Sequence, residues 1–204
     1  MLTRSTCVIW LFSILLVACG SVAPVAEETQ PALQSDTVVP AVPGTADVPV
    51  QDVQLALADS DWDGVKVPAG QQCQRFGGEN PSTPRIQVGD VPEGADAIIL
   101  EFSDRSYPPM DDGGHGMVGF QISPGTREVV VPSIPGHTFD LPEGFFLIQE
   151  HQAPSFDTAG AYMPPCSGGR GNTYYVTVKA VTLHSLEDLS YTLLAQAILE
   201  MGKY

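Results

Sequence analysis

Positively charged residues are scarce in this sequence of 204 residues. It contains nine lysines and arginines against 24 aspartates and glutamates, which gives a formal net charge of −15 at pH 7. Proteins that bind nucleic-acid backbones need clustered Lys and Arg, and so do proteins that dock on anionic lipid through a basic patch. The composition therefore argues against both classes, and we expect no nucleic-acid partner.

The motifs of common catalytic and metal sites are also missing. The chain has no CxxC pair, no Cys/His cluster, no G-x-S-x-G and no phosphate-binding P-loop. Asp111, Asp112 and His115 stand together in "DDGGHGMVGF", but adjacent aspartates seldom point the same way and no second histidine follows at short spacing. We therefore expect no metal, no cofactor and no enzymatic activity.

No apolar run reaches the ~20 residues that a membrane-spanning helix needs. The run Val8–Val17 follows Arg4 and leads into Leu16-Val17-Ala18-Cys19, which is typical of an export signal ending in a bacterial lipobox. Residues 1–18 are predicted to be a lipoprotein signal peptide, with Cys19 as the lipidated, palmitate-type anchor. The alternative is an ordinary cleaved signal with a coincidental cysteine.

The predicted anchor implies an extracytoplasmic location. Acyl chains on Cys19 would hold the protein at a membrane surface without spanning it. Gly20 and Ser21 follow with no acidic residue at the second position, which in a Gram-negative cell favours the outer membrane over the inner cell membrane.

Residues 19–62 are predicted to be an acidic, Pro-containing disordered linker, because they contain no Lys or Arg and show no lasting apolar period. Near its end, "DSDWDG" at Asp59–Gly64 matches the first half of a calcium loop. The match then fails, since position twelve is Gly70 rather than a bidentate Glu. We do not expect calcium binding.

Two of the four cysteines are available to the folded domain. Cys7 lies in the signal and Cys19 is assigned to lipidation, which leaves Cys73 and Cys166. An even pair in an exported domain suggests a disulfide, which would contribute on the order of 3–5 kcal/mol to stability. Two free thiols are the alternative.

Residues 63–204 have the composition of one folded, mainly β domain. Period-two alternation and β-branched or aromatic residues predict five strands, and the chain end is predicted to be a helix with Ser190 as N-cap, an apolar face at Leu194, Ala197, Ile198 and Met201, and Gly202 as its stop. The predicted strands are Ala97–Phe102, Met117–Ile122, Glu128–Val131, Phe145–Gln149 and Tyr174–Leu183.

Three stretches in order resemble the phosphatidylethanolamine-binding protein (PEBP) family, especially its bacterial Raf-kinase-inhibitor-like branch. "NPSTPRIQVGDVPEGADAIILEFSD" is similar to the segment N-x-S-P-x-L…G-V-P-E-G-A…D-D-P-D, in which a short strand precedes an apolar strand. "GAYMPPCSGGRGNTYYVTVKAVTL" resembles G-Y-x-G-P-C-P-P-x-G…H-R-Y-x-F-x-L-Y-A-L, and "LEMGKY" resembles E-L-x-G-x-Y. "LPEG" at Leu141–Gly144 also falls in order. Together they span about residues 67–204.

The resemblance implies a PEBP-like fold, in which a large antiparallel sheet packs on a smaller sheet with helix near the carboxyl end. It also implies a small pocket for an anion or a phospholipid head group, and some family members inhibit kinases or proteases. It places Cys73 and Cys166 at the same end of the sheet, which makes their bridge plausible. A lipoprotein β-sandwich unrelated to this family is the plainer alternative.

Carried over position by position, the resemblance gives six candidate ligand-binding residues. Asp104 matches the acidic loop, Gly116 falls on the family's first His with His115 one residue early, and Thr173 replaces the second His while Tyr175 keeps the Tyr. His151 is a candidate replacement imidazole if the loop from Ala153 to Asn172 folds over the pocket. We expect a non-enzymatic binding protein with a partly degenerate pocket; the alternative is a protein-interaction or inhibitor scaffold, for example of a protease or kinase, with a vestigial pocket.

Overall fold

The computed structural model describes residues 50–204, and the predicted signal peptide, Cys19 and the linker up to residue 49 lie outside them. Two single-turn 3-10 helices occur, at Gln74–Phe76 and Pro108–Met110. Within the described residues, no helix is both long and apolar enough to cross a membrane. The strands are β1 Gln54–Leu57, β2 Ile86–Gly89, β3 Ala97–Asp104, β4 Met117–Gln121, β5 Val129–Val131, β6 Phe145–Gln149, β7 Thr173–Ser185 and β8 Ser190–Lys203.

The strands form two antiparallel sheets. The larger has the order β6-β4-β3-β7-β8 and the smaller the order β1-β2-β5. One apolar core joins them, because Ile86 and Val88 of β2 pack in the same cluster as Ile98, Leu100 and Phe102 of β3. The expected mainly β class, with a large antiparallel sheet packed on a smaller one, is confirmed.

The five predicted strands are all present. β3 is buried on both faces, which explains its nearly continuous apolar sequence: Ile98, Leu100 and Phe102 face the smaller sheet, while Ala97 and Ile99 belong to a separate cluster on the other face. β2 is the short strand that the family resemblance indicated before β3.

The predicted carboxyl-terminal helix is wrong, since residues 190–203 form β8. This strand pairs with β7 along almost its whole length. Its apolar residues also satisfy a period of two, in which Ala195, Ala197, Leu199 and Met201 all contact the main core. The local preference of "LLAQAILEM" for helix is outweighed by the hydrogen bonds and burial that β7 offers.

The folded part begins earlier than residue 63. β1 pairs with β2 inside the stretch assigned to the linker, and Val53 and Trp62 are buried in the main core. The half calcium motif is used structurally, because Asp59 forms an ion pair with Arg85 at 2.6 Å and accepts its backbone N–H at 2.7 Å.

The Cys73–Cys166 disulfide is present and joins positions 93 residues apart. It links the turn Gln74–Phe76 to the loop that precedes β7. Around it lies a small apolar cluster that includes Met110 and Met163. The bridge therefore closes one end of the larger sheet, where the candidate site lies.

Candidate functional site

A cavity of about 610 Å³ opens at the end of β3 and the start of β7. Its walls come from the loop after β3, the glycine-rich turn before β4, and the long loop between β6 and β7. The lining residues that carry the argument below are Asp104, Met110, His115, Met163, Arg170 and Tyr174.

Asp104 is the last residue of β3 and is almost fully buried at the wall of the cavity. It has the same strand parity as Phe102, so its side chain lies on the inner face of the sheet. One carboxylate oxygen accepts the Ser106 N–H at 2.9 Å and the other accepts the Asn172 Nδ2–H at 2.6 Å. These neutral donors orient the carboxylate, and no Lys, Arg or His among residues 50–204 forms an ion pair with it.

Tyr174, and not Tyr175, lines the cavity. The register pairs Asp104 with Tyr174, which places both on the inner face. Tyr174 contacts the ring of His115 edge-on at 5.3 Å, and its hydroxyl accepts the Cys166 N–H at 3.1 Å. Burial, reinforced by the negative charge of Asp104, raises the pKa of Tyr174 to about 12.

Tyr175 lies on the opposite face of the sheet. Its hydroxyl donates to Asp111 at 2.5 Å, and the Arg105 guanidinium stacks on its ring at 4.3 Å. Thr173 has the same outward parity and does not line the cavity; its backbone N–H donates to the Ser106 hydroxyl at 3.0 Å. Thr173 and Tyr175, both predicted as site residues, therefore lie one position to either side of Tyr174 in β7 and face away from the cavity.

His115 lies on the cavity wall although it precedes the strand by two residues. Its Nδ1 donates to the Met163 carbonyl at 2.7 Å, and its own carbonyl accepts the Met163 N–H at 2.9 Å. Because Nδ1 carries the proton, Nε2 of the neutral ring is an acceptor. Burial, opposed by the Met163 carbonyl and Asp104, lowers the pKa of His115 to about 4.

Gly116 makes this placement possible but does not line the cavity. Its φ of +114° is strained for residues with a side chain, and an added Cβ would lie 2.0 Å from the Ala161 carbonyl oxygen. The glycine therefore lets the chain turn from His115 into β4 while packing directly against the loop before β7.

His151 is fully buried next to the cavity without lining it. Its Nε2 donates to the Thr158 carbonyl at 2.9 Å, and its Nδ1 accepts the Ala153 N–H at 3.3 Å. Both ring nitrogens are thus used to hold the loop after β6, whose residues Gln152 and Ala153 do reach the cavity.

The segment "CSGGRGN" contributes residues that sequence reasoning missed. Arg170 lines the cavity and donates from Nη1 to the Ser167 carbonyl at 2.9 Å. Within residues 50–204 its guanidinium forms no ion pair. Asn172, the partner of Asp104, belongs to the same segment. The only signal in the sequence was an isolated arginine among glycines in an acidic chain.

The remaining wall is apolar. Met110 and Met163 are both buried and pack with the disulfide, while Phe156 is partly exposed at the edge of the cavity. The Arg75 guanidinium lies 4.3 Å from the Phe156 ring and donates to its carbonyl at 2.8 Å. The cavity lining therefore combines Asp104, His115 and Arg170 with a sulfur-rich apolar part formed by Met110 and Met163 beside the disulfide.

No protein-family model and no curated protein matches this chain. Among solved structures it is similar to CT736 from Chlamydia trachomatis, described as a homologue of phosphatidylethanolamine-binding protein, with 23% identity and a TM-score of 0.48 over 76% of this chain and 97% of that one. It is also similar to YbcL from Escherichia coli, described as a member of the mammalian PEBP family, with 16% identity and a TM-score of 0.48 over 74% of this chain and 98% of that one.

Proposed function

We propose that this chain is an extracytoplasmic, lipid-anchored, PEBP-like binding protein that holds a phosphorylated head group without catalysing a reaction. The observation that carries the proposal is the presence of Asp104 and Arg170 on the walls of one cavity. The ordered sequence motifs and the two packed antiparallel sheets agree with such a protein. Anchoring through Cys19 rests on the lipobox alone.

The charges of the cavity favour a ligand that carries both signs. Arg170 offers a guanidinium that can donate to phosphate oxygens. Asp104 keeps an uncompensated carboxylate and would repel a bare anion, but it can accept from an ammonium group. His115, neutral near pH 7, adds an acceptor rather than a positive charge. A phosphate ester with an amino group therefore fits better than inorganic phosphate.

The test is a calorimetric titration of the full chain, in detergent, with inorganic phosphate and with O-phosphoethanolamine. We expect the amino ester to bind more tightly. Arg170→Gln should weaken both ligands roughly tenfold, because a charge-assisted hydrogen bond contributes about 1.5–3 kcal/mol and less when the side chain is exposed. Asp104→Asn should weaken only the amino ester.

Arg127→Gln and Asp140→Asn are the matched controls, since both residues are exposed and neither lines the cavity. They should leave the two affinities unchanged. Equal losses in the control and cavity variants, or the absence of heat with either ligand, would contradict the proposal.

A further inference from the structure

The sulfur-rich side of the cavity has a chemistry that head-group binding does not use. Met110, His115 and Met163 all line it, and each is at most 5% exposed. Thioether sulfur is a soft ligand that selects monovalent copper, and imidazole nitrogen is also a good copper ligand. Two thioethers and one imidazole on the same wall are therefore a candidate ligand set.

The backbone holds these three residues next to one another. His115 and Met163 exchange two hydrogen bonds, one from Met163 N–H to the His115 carbonyl and one from His115 Nδ1–H to the Met163 carbonyl. Met110 is held from the other side, because a Cβ on Gly114 would lie only 2.4 Å from its Cα. The proximity thus follows from three neighbouring stretches of main chain and not from flexible side chains.

The imidazole of His115 is also in the tautomer that can bind a metal through Nε2. Since Nδ1 is fixed as the donor to the Met163 carbonyl, the lone pair of the neutral ring is on Nε2. Nε2 takes part in no hydrogen bond within residues 50–204, where the only side-chain bond of His115 is the one from Nδ1. A histidine that is 3% exposed, with a free Nε2 lone pair and in a cavity lined by two thioethers, is a second observation that indicates a ligand.

The charge of the cavity suits a monovalent cation. Asp104 lines the same space with a carboxylate held only by neutral donors, so its negative charge can balance one positive charge without entering the coordination shell. The shell itself offers no carboxylate and no thiolate, because the nearby Cys166 is in the disulfide. This set does not suit Ca²⁺ or Mg²⁺, which prefer oxygen ligands, or a structural Zn²⁺ site.

We propose that Met110, Met163 and Nε2 of His115 form a binding site for Cu⁺. The ion is held by two thioether sulfurs and one imidazole nitrogen, and its binding transfers no electron to or from the protein. The site does not use the side chain of Arg170, which carries the proposed phosphate contact.

The experiment is an anaerobic competition for Cu⁺ between the full chain and bicinchoninate, in detergent and with ascorbate present. We expect one equivalent to be withdrawn from the coloured complex. Met110→Leu and Met163→Leu should each lower the affinity by roughly tenfold or more, since even outer-shell changes at metal sites cost 10–100-fold. Leucine nearly conserves the volume of methionine, so the variants should fold.

Met117→Leu, in β4 and away from the cavity, is the matched control and should bind as the unaltered chain does. His115→Gln should also lose affinity; if it fails to fold, the methionine variants decide the question. As an independent readout, Ag⁺ added to the ¹³Cε-methionine-labelled chain should shift the methyl signals of Met110 and Met163 more than that of Met117, which does not line the cavity.

Failure to compete with bicinchoninate, or equal affinities in the cavity and Met117 variants, would overturn the copper site. These results are distinguishable from a failure of head-group binding, because Arg170→Gln should leave the Cu⁺ affinity unchanged while the Met110 and Met163 variants should still bind O-phosphoethanolamine.

Discussion

Acidification should destabilise this protein through His115 more than through an ordinary surface histidine. In the folded chain the ring is buried and its pKa is lowered from 6.5 to about 4. In the unfolded chain the ring takes up a proton as the pH falls through 6.5. The unfolded state then binds more protons than the folded state, so the free energy of unfolding decreases with falling pH. Below about pH 4 both states are protonated and this loss is complete.

The size of the effect follows from the shift in pKa. At about 1.4 kcal/mol per unit of pKa, the whole shift corresponds to about 3 kcal/mol, most of which is lost between pH 7.5 and pH 4.5. The charged and titratable groups that face the ring are Asp104, which favours its protonation, and His151, which opposes it. Tyr174 contacts the ring edge-on and stays protonated throughout this range.

Urea unfolding of the full chain and of His115→Gln at pH 7.5, 6.5, 5.5 and 4.5 measures the effect. The difference in free energy of unfolding between the two proteins isolates His115, since every other group is common to both. We expect the advantage of the unaltered chain to shrink by about 2–3 kcal/mol over this range, with most of the loss below pH 6. A difference that stays constant, or grows as the pH falls, would refute the reasoning.

Two further predictions concern the turn before β4 and the membrane anchor. Gly116→Ala should lower the free energy of unfolding by about 3 kcal/mol or more, because the added Cβ would lie 2.0 Å from the Ala161 carbonyl oxygen and the residue has a φ of +114°. Gly125 also has a positive φ, of +83°, but open space around it, so Gly125→Ala should lower the free energy of unfolding by only about 1–2 kcal/mol. Urea unfolding compares them, and equal losses would speak against the role given to Gly116. In a bacterial host, Cys19→Ser should abolish labelling of the chain by radioactive palmitate and release it from the membrane fraction. Cys7→Ser should change neither the palmitate labelling nor the amount of protein in the membrane fraction. A palmitate label that persists in Cys19→Ser would rule out the lipobox assignment.

The strands that were predicted correctly are those whose own amino-acid composition and alternation indicate a buried strand. β3 and β7 contribute long apolar or β-branched stretches, so their identity is independent of the neighbouring strands. β8 was predicted as a helix because its apolar residues satisfy periods of both 2 and 3.6, and only the free edge of β7 decides between them. β1 is four residues long and half-buried, too short to separate from the acidic segment before it.

For the cavity, the family resemblance predicted Asp104 and His115, whose positions follow from motifs adjoining strands. It selected Tyr175 where the structure uses Tyr174, because alternate residues of a strand face opposite sides and an error of one position reverses the face. Met163 and Arg170 lie within the quoted stretch Gly160–Leu183, but at positions that the family pattern does not specify, and Met110 lies outside the quoted stretches. Met110 ends a single-turn helix and the other two lie in loops, so their proximity depends on backbone pairing and on a disulfide between distant segments.

The disulfide and the strand order also determine when this cavity can exist during synthesis. Chains are made from the amino end, and Cys73 emerges 93 residues before Cys166. Asp104 and His115 emerge next, but Asn172 and Tyr174, which complete their surroundings, follow only after the bridge partner. Over the 93 residues between Cys73 and Cys166 the growing chain therefore carries an unpaired cysteine, and from Asp104 to Asn172 it carries a carboxylate without its amide donor. The cavity can be complete only once the segment from Cys166 to Tyr174 is available.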